Sequence, residues 1–290
     1  MKINIFNEDC EEVLKKLPDN SIDMSIQSPP YDNLRKYQGA SDGFTFDKFK
    51  AIVDQLYRVM KEGSVTVWIV GDATINGNKT LTSFRQALYF QEAGFLVHDV
   101  MIWQKPNSAH PAPRNGKRYS NIWESMFVFV KGKKIRQDIT LIADKKNKYF
   151  NRGGSWGKLT DRKNGEDDLI DLGKGKLREV PEFSLRNNIW EYNMANVDGD
   201  KEFRHPAAYP VQLIKDHILS WSVPGDTILD VFGGGGTTGV AAIELGDRNV
   251  VMCEIVKKYY DEMMKPRLVK HMKDGDELIE NNYNSFTNND

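Results

Sequence analysis

The chain is expected to fold as an α/β protein around a mainly parallel sheet, and three features of its sequence lead there. Short apolar or β-branched runs alternate with longer amphipathic stretches along most of its 290 residues, the pattern of strands connected through helices. The alternation lapses once, from about residue 131 to 203, and then resumes. A run of four glycines joins a strand to a helix in the resumed part, where α/β folds bring backbone close to a ligand.

Taken in order, Ile3 to Phe6 reads as a short strand, and Glu11 to Leu17 as a helix closed by Pro18-Asp19-Asn20. In Ser21 to Gln27 the period-two placing of Ile22, Met24 and Ile26 predicts a strand. Phe46, Phe49, Ile52, Val53, Leu56, Tyr57 and Met60 recur at helical spacing, with Gly63 as the stop. Ser64 to Val70 is a β-branched, continuous run and hence a buried strand, followed by a helix from Thr80 to Ala93 that Gly94 ends. Leu96 to Trp103 and Ile122 to Val130 are two further strands. From about Lys131 to Phe203 apolar periodicity is poor, basic runs and glycines abound, and a loop-rich insertion is expected. Beyond it come helix Val211 to Trp221, strand Thr227 to Val231, the glycine run, helix Thr237 to Leu245, strand Asn249 to Glu254 and helix Lys257 to Leu268. The polar end, from about Lys273 to Asp290, is expected to fray.

Composition narrows the class of protein. Two cysteines, Cys10 and Cys253, cannot build a disulfide scaffold or a four-thiolate zinc site, which points to a reducing, cytoplasmic setting. The first residues carry acids where a signal peptide needs an apolar run, and no apolar stretch approaches about 20 residues, so no membrane partner is expected. The net charge of -1 argues at first sight against a polyanionic partner. Its distribution argues the other way. Residues 105–163 hold fifteen Lys and Arg against four acids, an excess of eleven positive charges, while the other 231 residues hold 25 bases and 37 acids.

The glycine run lies in Leu229-Asp230-Val231-Phe232-Gly233-Gly234-Gly235-Gly236-Thr237-Thr238-Gly239. It lacks the Gly-Lys-Ser/Thr ending of a phosphate-binding P-loop, which excludes a nucleotide triphosphatase of that type. Glu254 closes the next strand, where a carboxylate accepts hydrogen bonds from two ribose hydroxyls. Together they predict an adenosine-containing cofactor; this motif alone leaves a dinucleotide and S-adenosylmethionine both open.

Ser28-Pro29-Pro30-Tyr31 directly follows the strand that ends at Gln27. Two prolines fix φ and remove two backbone donors, leaving a loop of positioned carbonyl acceptors. Such a loop suits an exocyclic amino group on a base, a poor nucleophile whose lone pair is delocalised into the ring. Accepting both of its hydrogens, at Ser28 and at the Pro29 carbonyl, favours the pyramidal form whose lone pair attacks a sulfonium methyl. Tyr31 offers a ring face to a flipped base.

With both loops in view, the chain resembles the β-class of S-adenosylmethionine-dependent DNA amino methyltransferases, in which the catalytic loop precedes the cofactor loop. The resemblance covers most of residues 3–268 and implies a Rossmann-like, seven-stranded methyltransferase sheet with an inserted target-recognition region. Residues 1–130 would then be the catalytic half, 131–204 the recognition insertion, 205–272 the cofactor-binding half and 273–290 a flexible tail. Ser28, Pro29, Pro30 and Tyr31 take the catalytic positions. Phe232, Gly234 and Gly236 match the family's F-x-G-x-G signature, with Asp230 and Thr237 flanking it and Val231 standing where a proline is usual. Asp9 falls where the family has an acid near the adenine, Glu254 where it has the ribose-binding acid, and His205-Pro206-Ala207 where a segment closes the cofactor pocket. Trp103 to Asn107 and Glu124 resemble later motifs less specifically. The implied cofactor is S-adenosylmethionine and the implied substrate double-stranded DNA; a cognate restriction endonuclease and a second copy of the chain are further partners that the resemblance admits.

Neither cysteine follows a proline, so carbon-5 cytosine methylation through a thiolate is excluded. Ser at the first loop position leans toward cytosine N4 over adenine N6, which remains the rival; a nicotinamide oxidoreductase, resting on the glycines and Glu254 alone, leaves Ser28 to Tyr31 without a role. Lys133, Lys134, Arg136, Lys145, Lys146 and Arg152, with Lys131 and Lys148, are candidates for phosphate contact. Arg114, Lys117 and Arg118 are expected in a loop near the flipped base. Asn151, Arg162, Arg186 and Asn187 are candidates for reading base edges, and Trp156 for a wedge in the stack. His110, His205 and His217 show no metal-like spacing, and no metal is expected.

Overall fold

The computed structural model describes residues 1–30, 44–106, 117–147, 159–163, 166–170, 181–194, 203 and 208–281. The chain divides into two compact units: Met1–Thr140 with Asn188–Asp290, and Leu141–Asn187.

The larger unit is built on a nine-stranded sheet. Its strands are β1 (Lys2–Phe6), β2 (Ile22–Gln27), β3 (Met60–Val70), β4 (Phe95–Gln104), β5 (Trp123–Lys131), β6 (Ile189–Glu191), β7 (Thr227–Asp230), β8 (Asn249–Cys253) and β9 (Glu277–Asn281). Their order across the sheet is β6-β4-β5-β3-β2-β7-β8-β1-β9. All neighbours pair in parallel except β5, which runs antiparallel to both β3 and β4. The seven strands read from the sequence are the seven inner ones, and β6 and β9 extend the two edges.

Helices cover both faces, and β2, β7 and β8 at the centre are almost wholly buried, whereas β4 is exposed over Leu96–His98 and at Val100. On one face α1 (Cys10–Lys16), α2 (Phe46–Val59) and α3 (Thr82–Glu92) pack Val13, Leu14, Phe49, Ile52, Leu56 and Phe90 over Trp68 and Phe129. On the other, α4 (Val211–Trp221), α5 (Thr237–Leu245) and the helical stretch from Lys257 to His271 pack Leu213, Ile214, Ile218, Val240, Ile243 and Leu268 over Met24, Ile26, Val67 and Val250. Local signals set the helix starts: the Asp9 carboxylate caps α1 by accepting from Glu11 N at 3.0 Å, and the Thr45 hydroxyl caps α2 by accepting from Lys48 N at 3.2 Å.

Three expectations need correction. Gly63 does not stop a helix; α2 ends at Val59 and β3 starts at Met60, and Gly63, at φ +77°, lies where the β2–β3 register shifts. The tail is not frayed throughout: Glu277–Asn281 pairs in parallel with Lys2–Phe6, Glu277 N donates to Met1 O at 2.9 Å, and the N-terminal ammonium meets Asp276 at 3.1 Å. Residues 282–290 lie outside the described residues. Both ends of the expected insertion, Lys131–Thr140 and Asn188–Met194, belong to the larger unit, where Trp190 of β6 is buried and the Trp103 indole donates to Tyr192 O at 2.9 Å. The smaller unit contains two short antiparallel pairings, Leu159–Lys163 with Glu166–Ile170 and Lys145–Lys146 with Phe183–Ser184.

Candidate active site

Strand register aligns the candidate residues. Ile3, Val250, Ile228, Met24 and Val65 stand side by side across β1, β8, β7, β2 and β3. Asn7, Glu254, Phe232 and Ser28 each follow within two residues of the carboxyl end of β1, β8, β7 and β2. With strands about 4.8 Å apart, Ser28 follows the strand next to that of Phe232, and Glu254 the one after. Residues about 200 positions apart in sequence thus meet at one end of the sheet.

The glycine loop is held from below and behind. Gly233 N donates to Cys253 O at 2.8 Å, and Gly236 N turns back to Gly233 O at 2.7 Å. Gly234 and Gly236 take φ of +49° and +79°, and Gly236 begins α5. A Cβ on Gly233 would lie 2.4 Å from Met264 Cε and 3.1 Å from Cys253 O, so a side chain there would displace the methionine and press on the strand. Asp230, wholly buried, accepts from Phe232 N at 3.0 Å, from the Thr238 hydroxyl at 2.6 Å and from the Tyr209 hydroxyl at 3.1 Å. Burial pushes its carboxyl up to about 6 against the pull of these donors. Arg267, buried on the last helix, donates to Gly235 O at 3.1 Å and to Thr237 Oγ1 at 3.0 Å.

Glu254 is 9% exposed, with Oε2 accepting from Gly234 N at 2.9 Å and Oε1 from Val256 N at 2.7 Å. Burial raises its carboxyl to about 7, and the two amides hold it from rising further. Each oxygen keeps a second acceptor site, so the pair suits ribose hydroxyls. Asn7 braces it through its side-chain amide, which donates to Glu254 O at 2.8 Å. Asp9 does more than the sequence indicates: besides capping α1 it pairs with Lys48 Nζ at 2.5 Å, and although burial raises its carboxyl, the Lys48 ammonium and the Glu11 amide prevail and hold it below the usual range.

Ser28, Pro29 and Pro30 leave the end of β2, the strand paired with the one that Phe232 follows. The Phe232 ring stands edge-on to Phe44 at 5.6 Å and to Trp68 at 6.1 Å, an aromatic wall beside the loop. Tyr31, His205, Pro206 and Ala207 lie outside the described residues, as do Arg114 and Arg152. Both thiols are buried, Cys10 being pushed up to about 12 and Cys253 well up as well, so neither is a ready nucleophile.

The basic candidates separate according to the direction of β5. Lys117 and Arg118 are exposed and precede it, on the side where Ser28 lies; Arg118 donates to Gly77 O, in the turn beyond β3. Lys131 ends it and Lys133, Lys134 and Arg136 follow, at the opposite end of the sheet. Arg136 is thereby removed from phosphate contact: it pairs with Asp138 at 2.6 Å and Asp226 at 2.9 Å and lies 3.6 Å from Asp23. Lys131 is buried, its ammonium donating to Met60 O at 2.8 Å and Asn20 Oδ1 at 2.9 Å. Lys133 and Lys134 are exposed, but a nine-residue strand, about 30 Å long, separates them from the catalytic end. In the smaller unit Lys145 and Lys146 are exposed, Lys145 donates to Asn187 Oδ1 at 3.0 Å and Arg186 pairs with Asp144.

Sequence reasoning missed Arg267, Tyr209 and Gln27. Arg267 sits among other bases in an ordinary helix pattern, so nothing marked it. Tyr209 was visible only as part of His205-Pro206-Ala207-Ala208-Tyr209-Pro210, and the polarity of Gln27 beside Ser28 was the one signal for that position.

Comparison with known proteins agrees with this geometry. Residues 22–265 match a family described as DNA methylase. The chain is 40% identical over 269 residues to the orphan methyltransferase M.BamHII of Bacillus amyloliquefaciens, covering 89% of this chain and 94% of that one. It is 28% identical over 256 residues to the DNA adenine methyltransferase YhdJ of Escherichia coli (strain K12), covering 88% and 79% respectively. Among solved structures, a PvuII DNA methyltransferase described as cytosine-N4-specific superposes with a TM-score of 0.65 over 96% of this chain and 95% of that one, at 18% identity.

Proposed function

The chain belongs to the DNA methylase family, and from that premise we propose that it methylates the exocyclic N4 amino group of a cytosine flipped out of duplex DNA, with S-adenosylmethionine as methyl donor. The observation that carries the reading is that Ser28, Phe232 and Glu254 follow the carboxyl ends of three adjacent parallel strands, which sets an amino-binding loop beside a cofactor cradle. The residues present fit the cofactor: a glycine loop packed tightly against the next strand at Gly233, and a buried carboxylate at that strand's end. S-adenosylmethionine supplies a methyl group activated on a sulfonium sulfur. Glu254 takes the ribose hydroxyls, while Gly234 and Gly236 let the backbone lie against the ligand. Phe232 covers its apolar side.

Ser28 Oγ and the Pro29 carbonyl accept the two amino hydrogens, which draws the nitrogen lone pair out of conjugation and aims it. The proton released after transfer leaves along one of these hydrogen bonds. Flipping removes the base from its pair, so its amino group reaches the loop. Lys117 and Arg118 neutralise phosphates beside the catalytic end, and the unit Leu141–Asn187 reads the target sequence. A cognate endonuclease and a homodimer are further proposals that follow from the same family membership.

Ser28 at the first loop position supports cytosine N4. Adenine N6 is the second reading, favoured by the likeness to an adenine methyltransferase. Methylating a DNA library with isotope-labelled S-adenosylmethionine and digesting it to nucleosides separates them. Labelled N4-methylcytosine is expected; label in N6-methyladenine alone would replace the base assignment, and unlabelled DNA across all sequences would overturn the reaction.

A further inference from the structure

Strand β2 is buried along its whole length. Met24 and Ile26 pack in the cluster under α4 and α5, so alternation turns Ser25 and Gln27 to the face covered by α1 and α2. Asp23 accepts from Lys61 Nζ at 2.6 Å and from Thr227 N at 3.0 Å, and the Ser25 hydroxyl donates to Thr66 Oγ1 at 2.9 Å. Gln27 is different. Its side chain is 0% exposed, and among the described residues neither Oε1 nor Nε2 has a hydrogen-bond partner. The register pairs it with Trp68, which belongs with Phe6, Val231 and Cys253 to one apolar cluster. Trp68, directly opposite, donates its indole N–H elsewhere, to Gln86 Oε1 at 2.8 Å.

A carboxamide with both ends unpaired beside an apolar cluster is unfavourable, and a methionine or leucine would fill the space without that penalty. Gln27 closes β2 directly before Ser28. Pro29 and Pro30 contribute carbonyls but no N–H, so the loop has acceptors in excess of its own donors. Gln27, covalently joined to it, holds two donor hydrogens that nothing among the described residues accepts.

We propose that Gln27 is a positioning residue for methyl transfer, whose carboxamide takes its partners from Ser28–Pro30 when that segment engages the target amino group. It acts through the loop, fixing the Ser28 hydroxyl and the Pro29 carbonyl at the spacing the amino group requires. The inference rests on the reading of Ser28–Pro30 as the amino-binding loop.

The test replaces Gln27 by methionine, of similar length and without the orphaned polar atoms, and by leucine should the first variant fold poorly. Melting temperature, S-adenosylhomocysteine affinity and single-turnover methylation of DNA are measured on the full chain. The melting temperature is expected to hold or rise by about 2 °C, because no hydrogen bond of the free protein is lost. Cofactor affinity is expected to stay within about twofold, and the single-turnover rate to fall by roughly 10- to 100-fold, the effect of a small misplacement of reacting groups. An unchanged rate would overturn the proposal. So would a fall in melting temperature alongside the rate, which a hydrogen bond already made in the free protein would give, or a loss of cofactor affinity matching the loss of rate. Absence of transfer by the wild-type protein would overturn the proposed function itself, an outcome distinct from any difference between variant and wild type.

Discussion

Replacing Glu254 with glutamine tests the cofactor half of the site through its pH dependence. The carboxylate is almost wholly buried and its pKa stands at about 7 against an ordinary 4.5. A cofactor whose ribose hydroxyls donate to it binds the ionised form. At pH 8 roughly nine-tenths of the free protein carries that form and at pH 6 roughly one-tenth, so S-adenosylhomocysteine should bind about tenfold more weakly at the lower pH. Glu254→Gln removes the charge. Hydrogen bonds to a charged group contribute about 1.5–3 kcal/mol, so the variant should bind about 10- to 100-fold more weakly at pH 8 and show no pH dependence from this group. Stability moves the other way. A folded pKa above the unfolded one means that the native state holds the extra proton between about pH 4.5 and 7, so this group's contribution falls as pH rises through that window, by up to about 3 kcal/mol. The variant should lack that fall. Calorimetric titration between pH 6 and 8, with urea unfolding over pH 4.5–8, reads both. Wild-type affinity that is flat between pH 6 and 8, or a variant that binds as tightly as wild type, would refute the assignment of Glu254 to the ribose.

Other perturbations address the parts around it. Gly233→Ala places a methyl group 2.4 Å from Met264 Cε and 3.1 Å from a backbone carbonyl, so it should lower both the melting temperature and S-adenosylhomocysteine affinity, measurable by thermal unfolding and calorimetry. Tyr209→Phe removes a donor to buried Asp230 and should cost about 1–2 kcal/mol in urea unfolding; an unchanged midpoint would mean that the bond adds nothing. Reversing Lys117 and Arg118 to glutamate should weaken DNA binding and reduce its log–log salt slope by about 1.8, whereas the same change at Lys133 and Lys134 should leave the slope unaltered. Equal effects from the two pairs would contradict the placing of DNA at the catalytic end.

Seven strands and their helices were legible because each is a short apolar run bounded by Gly, Pro, Asn or Asp, which local pattern captures. The edge strands were not: Ile189-Trp190-Glu191 and Glu277 to Asn281 are short and polar on their open sides, and only pairing with β4 and β1 makes them strands. The chemistry of the site was legible where it is local. Ser28 to Pro30 and Phe232 to Gly236 announce themselves by residue type. Arg267 and Tyr209 act across the fold, on Gly235 and Asp230, and no sequence spacing encodes that. Gln27 was hidden for a different reason. Alternation in β2 suggests one wet face, whereas both faces are covered, and burial turns an ordinary polar residue into an unpaired one.

The basic stretch carries the same lesson further, because charge acts from where the fold puts it. Counted along the chain, residues 105–163 form one block with eleven excess positive charges. In space β5 passes through the block and reverses direction relative to its neighbours. Within the larger unit, Lys117 and Arg118 before the strand face the end where Ser28, Phe232 and Glu254 lie, and Lys131 to Arg136 face the end where the parallel strands begin. There the acids Asp23 and Asp226 stand at the entry to β2 and β7, and Arg136 joins them, bringing the chain that leaves β5 under strands more than 80 residues distant from it. Lys131 and Arg136 are therefore engaged in closing the sheet, and Lys133 and Lys134 beside them lie some 30 Å from the catalytic end, about three Debye lengths at 0.1 M salt. A single antiparallel strand divides one apparent DNA-binding segment into a part free to meet phosphate and a part that holds the catalytic strands in register.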